Sequence, residues 1–88
     1  MSRIYIVQSH DSGAPSHSDD VSVFKTLKKA ASEFNRTVKD AAEIYGEKAE
    51  RISPKFVKEN EGAPVNREWE CTDGGATLTV SLYSAQAL

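Results

Sequence analysis

Between Thr26 and Gly46 the apolar positions Leu27, Ala30, Ala31, Phe34, Val38, Ala41, Ala42 and Tyr45 recur at steps of three and four. That spacing gathers side chains onto one stripe of an α-helix, about 120° wide, and commits one face to a core. Thr26 can cap the start by accepting a backbone N–H that has no partner inside the helix, and Gly46 suits the left-handed residue that ends one. The pattern predicts a helix over about 26–46, on which the rest of the chain must pack.

On either side the period changes to two. Ile4, Tyr5, Ile6 and Val7 are apolar in succession, which predicts a first strand in the middle of a sheet. Residues 10–20, HDSGAPSHSDD, have the composition of a loop. Val21, Val23 and Phe24 predict a second strand that runs through Lys25 into the helix, in preference to an earlier helix start capped by Asp19 or Asp20, because valines around Ser22 favour extended chain. After Gly46 the segment to Glu68 is polar and interrupted by Pro54, Gly62 and Pro64, with Ile52, Phe56, Val57 and Val65 as its anchors. Proline cannot donate to a strand ladder, so a short edge strand is the most this segment predicts. REWECT and ATLTVSLY then flank Asp73, Gly74 and Gly75, a hairpin signal. Ala76, Leu78, Val80 and Leu82 share one face, and Thr77, Thr79, Ser81 and Tyr83 the other. Trp69 and Cys71 fall two apart on the core side, and SAQAL after Tyr83 is expected to fray. Strands before and after one helix predict an α+β fold: a two-layer sandwich in which an antiparallel sheet of three to five strands carries the main helix on one face, as a single domain over 1–88.

Charge narrows the function classes. Eleven Lys and Arg against thirteen Asp and Glu give a formal net charge of −2. This is too acidic for a general nucleic-acid binder and too weakly acidic, with its signs interspersed, for a mimic of a phosphate backbone. Cys71 is the only cysteine, so no intrachain disulfide forms. The opening MSRIYIVQS lacks the apolar run of a secretion signal, and no stretch approaches the eighteen or so apolar residues of a membrane span, so a cytoplasmic location is expected.

Candidate chemistry is sparse. His10, Asp11, His17, Asp19 and Asp20 are potential metal ligands, but no histidine pair has the spacing of a ligand pair on a helix, and such residues are ordinary in a solvated loop. Ser9, Ser12, Ser16 and Ser18 lie near them without any sign of the strained turn and oxyanion hole that a nucleophilic serine requires. Cys71, in mid-strand beside Trp69, reads as a small buried hydrophobe rather than a nucleophile. Gly74 and Gly75 lack the spacing of a phosphate loop. No catalytic residue, metal site or cofactor is assigned. The main helix carries a stronger signal: Lys25, Lys28 and Lys29 crowd its start while Asp40 and Glu43 stand near its end, opposing the helix dipole by about 0.3–1 kcal/mol each where exposed. Pairs four apart, Lys29 with Glu33, Arg36 with Asp40 and Lys39 with Glu43, offset part of this. Either these charges are a solvated face, or Lys25, Lys28, Lys29 and Arg36 form a contact patch for an acidic partner surface or a phosphate backbone.

The strand residues Tyr5 and Val7, the strand-to-helix stretch Val21 through Ala30, and the hairpin Trp69 through Gly75 make up about a quarter of the chain. Together they resemble the small accessory proteins of phages and mobile elements, including anti-CRISPR proteins of similar size. The resemblance implies a phage-encoded, non-enzymatic inhibitor in the host cytoplasm. It would dock on a host protein complex such as a CRISPR effector and block nucleic-acid binding or nuclease recruitment, without itself binding nucleic acid or membrane. It carries over no functional residue, because these proteins share no common motif. The alternatives are a small metal-dependent or hydrolytic enzyme using the 10–20 loop, and a structural subunit that oligomerises through strand edges.

Overall fold

A computed structural model describes residues 3–12 and 19–86. The elements in chain order are strands β1 (Arg3–Asp11) and β2 (Asp19–Phe24), helices α1 (Leu27–Tyr45) and α2 (Pro54–Asn60), and strands β3 (Asn66–Asp73) and β4 (Ala76–Gln86). The strands form one antiparallel sheet in the order β2-β1-β4-β3. This is the α+β arrangement the patterning predicts, with α1 packed on one face. The backbone extents of 42 × 27 × 15 Å fit two layers, and among the described residues both helices lie on the α1 side of the sheet.

The helix begins and ends as its sequence dictates. Thr26 is extended and its hydroxyl accepts the Lys29 N–H, and Gly46, at φ 71°, takes the left-handed turn that closes the C-terminus. Leu27, Ala30, Ala31, Phe34, Val38, Ala41 and Ala42 are all buried, so the stripe is the core face. Opposite them the sheet supplies Tyr5, Val7, Trp69, Cys71, Val80 and Leu82, all buried in the same cluster. The small alanines let α1 approach the sheet while Trp69, Phe34 and Tyr5 fill the width between the layers.

β1 is central, as its apolar run predicts. However, only Tyr5 and Val7 face the helix; Ile4 and Ile6 are half-buried on the open side. The β3–β4 hairpin turns through Gly74 and Gly75, both at positive φ, which matches the twist of the paired strands.

Three boundaries differ from the sequence reading. The expected 10–20 loop is shorter, because His10 and Asp11 continue β1 and Asp19 and Asp20 begin β2; His17, Ser16 and Ser18 lie outside the described residues. β4 continues past Tyr83 to Gln86, held by Arg3 opposite it, so Ser84 to Gln86 do not fray. The largest difference is α2, where at most an edge strand was expected. Ser53 accepts the Phe56 N–H at 3.2 Å and Pro54 occupies the first turn, where its missing N–H costs nothing. The same proline that forbids a strand starts a helix.

Candidate functional site

α2 is positioned by contacts on several sides. Arg67, on the helix-facing side of β3, stacks over the Phe56 ring at 4.9 Å from its centroid. Asn35, in the middle of α1, reaches the coil before α2: its Oδ1 accepts the Ile52 N–H at 2.7 Å and its Nδ2 donates to the Ile52 carbonyl at 3.1 Å. Ile52 is buried, and Val57 and Phe56 pack on the core from α2. After α2, the Gly62 N–H donates to the hydroxyl of the buried Tyr5 at 2.7 Å, while Arg3 Nε donates to the Gly62 carbonyl at 3.1 Å. These bonds hold Glu61 over the start of α1, where its Oε1 accepts the Leu27 N–H at 3.1 Å.

That last contact resolves the charge order of the helix. α1 has no acid in its first turn and no base in its last, yet its N-terminus receives a carboxylate from elsewhere in the chain. Glu61 caps a backbone N–H and places negative charge beside Lys28 and Lys29, so the compensation is tertiary.

Between α1 and α2 lies a shallow hollow of about 340 Å³ whose floor is Ala31, Ile52, Pro54 and Val57 and whose sides carry Lys28 and Lys58. It adjoins a second hollow at the start of α1, lined by Thr26, Lys28, Lys29, Ser32 and Glu61. Lys28 and Ser32 belong to both, so the two form one groove with an apolar floor and a lysine rim. Lys28, Lys29 and Lys58 are exposed, and among the described residues none of them has a carboxylate within ion-pair distance.

The other two residues of the expected patch stand apart. Lys25 precedes the helix cap, at the end of β2, and is exposed. Arg36 lies on the side of α1 turned toward β2, in a polar cleft with Ser9, Asp20, Ser22, Glu33 and Thr37. Its guanidinium is engaged by Glu33 and by Asp40, the latter at 3.4 Å. The hydrogen bond to Glu33, with the charge of that carboxylate, raises its pKa further. Arg36 takes the Glu33 that the spacing offered to Lys29. The groove therefore combines Lys28 and Lys29 with Lys58, which the sequence reading missed; the pair Ser53-Pro54, read as a helix start, was the available signal.

Among the described residues no three His, Cys, Asp or Glu side chains stand close enough to hold a metal ion, and Cys71 is buried. No helix among them is long and apolar enough to cross a membrane. Compared with models of protein families, with characterised proteins and with solved structures, the chain has no match.

Proposed function

We propose that this chain is a non-enzymatic binding protein that docks an acidic, partly apolar protein surface into the groove between α1 and α2. The observation that carries the reading is the pairing of an apolar floor at Ala31, Ile52 and Val57 with the exposed cations Lys28, Lys29 and Lys58. An apolar floor gains free energy by losing water, and lysines that form no ion pair among the described residues select a complementary acidic rim and speed encounter. The polar cleft around Arg36 is the weaker candidate, because Glu33 and Asp40 already neutralise its cation and it lacks such a floor.

The resemblance to small phage accessory proteins gives the finer reading. The partner is a subunit of a bacterial CRISPR effector complex, and binding blocks its access to nucleic acid or its recruitment of a nuclease. The test is co-elution of the purified chain with purified effector complexes of several types, alongside target-DNA binding by each complex. A stable complex of defined stoichiometry that no longer binds DNA or recruits nuclease supports the proposal. Absence of co-elution with every complex at micromolar concentrations removes the CRISPR reading.

A further inference from the structure

The two edges of the sheet differ in what they offer a second strand. β3 presents Glu68 and Glu70 on the open face, by alternation with buried Trp69 and Cys71. Two β3 strands paired antiparallel about Trp69 would set these glutamates against each other. That edge is protected against itself by like charge.

Among the described residues β2 carries no such like-charge pair. Val21 and Val23 lie on the open face with 57% and 59% of their surface exposed, and among the described residues β2 is hydrogen-bonded to β1 alone. Val23 stands next to Ile6, which stands next to Tyr83, so the valines are the rim of an apolar band crossing three strands.

We propose that the chain forms a two-fold dimer in which β2 pairs antiparallel with β2 of a second copy about Ser22, joining the two sheets into one of eight strands. In this register each Val21 stands opposite Val23 of the other copy, and Lys25, the residue just past the end of β2, comes level with Asp19 of the other. Oppositely charged positions thus flank a core of four valines. A shift of two residues either way loses this: a centre at Val21 sets Asp19 against Val23, and a centre at Val23 sets Lys25 against Val21. Because the two-fold axis is perpendicular to the sheet, both α1 helices stay on one face and the apolar band runs on from one copy into the other. Pairing along a six-residue edge buries less than the roughly 800 Å² per partner of a standard stable interface, so the dimer is weak and concentration-dependent. The groove of Lys28, Lys29 and Lys58 lies on the helix layer, outside this contact.

The test is sedimentation equilibrium of the chain from micromolar to millimolar concentration. The expected result is a mass that rises from 9.6 kDa toward twice that value. Val21→Lys with Val23→Lys should hold the chain monomeric at the highest concentration with an unchanged circular dichroism spectrum, because both valines are exposed in the monomer. Lys25→Glu should weaken association about tenfold by creating two like-charge oppositions, and adding Asp19→Lys should restore it. A chain that stays monomeric throughout, a dimer indifferent to the valine substitutions, or a charge swap that fails to restore association would overturn the proposal.

Discussion

The carboxylate of Glu61 caps the first backbone N–H of α1, that of Leu27, across 34 positions of sequence. The helix can therefore carry lysines at 28 and 29 that its own dipole disfavours. Glu61→Ala removes both the acceptor and the charge, and should cost about 1 kcal/mol. For a domain of this size that lowers the melting temperature by about 4–8 °C. Lys28→Glu should then stabilise the Glu61→Ala protein more than it stabilises the parent, since it supplies an acid where one has been lost. Thermal melts of the four proteins in the cycle check this, and strict additivity would show that Glu61 is not the compensating charge.

Asn35 is an unfavourable residue for the middle of a helix, and its two bonds to Ile52 account for its presence. Asn35→Ala leaves both backbone groups of Ile52 without these partners and should cost about 1–3 kcal/mol. Asn35→Asp keeps an acceptor for the Ile52 N–H but presents a second acceptor to the carbonyl, so it should also destabilise. Urea titration measures both. A midpoint equal to the parent's for Asn35→Ala would mean that the coil before α2 is held by burial of Ile52 alone.

Trp69 is only 6% exposed and fills the space between β3 and the helix. Trp69→Ala should cost about 3–5 kcal/mol through the cavity it leaves, a large share of the stability of a small domain. Trp69→Phe, which keeps most of the volume, should remain folded. Circular dichroism and urea titration separate the two. A Trp69→Ala protein with a parent-like midpoint would contradict the place given to this residue in the core.

The fold was legible wherever a periodic face meets a core. The α1 stripe, its Thr26 and Gly46 ends, the alternation along β4 and the inward pair Trp69 and Cys71 all follow from local pattern, because burial enforces the period. α2 was not legible in the same way. Its seven residues include no fully buried side chain, and its existence rests on Ser53 and Pro54 as a helix start and on Arg67 stacking over Phe56, a contact made across the fold. The candidate site was half legible. Lys28 and Lys29 stand out from their order along the helix, whereas Lys58 and the floor at Ile52 join them only when α2 folds back onto α1. Arg36 shares the helix but turns to another side and finds partners in Glu33 and Asp40, which linear spacing gave only in part.

If the lysine-rimmed groove docks on a defence complex, as proposed, the chain should protect phage in a plating assay. Strains carrying active CRISPR systems of several types would express the parent chain or the Lys28→Glu, Lys29→Glu variant, and be challenged with a phage their spacers target. The parent should restore plaques in at least one strain. The variant, with a melting temperature at or slightly above the parent's because acids suit the first turn of a helix, should plate like the empty vector. Parent plating at the empty-vector level in every strain, or a variant that restores plaques as well as the parent does, would contradict it.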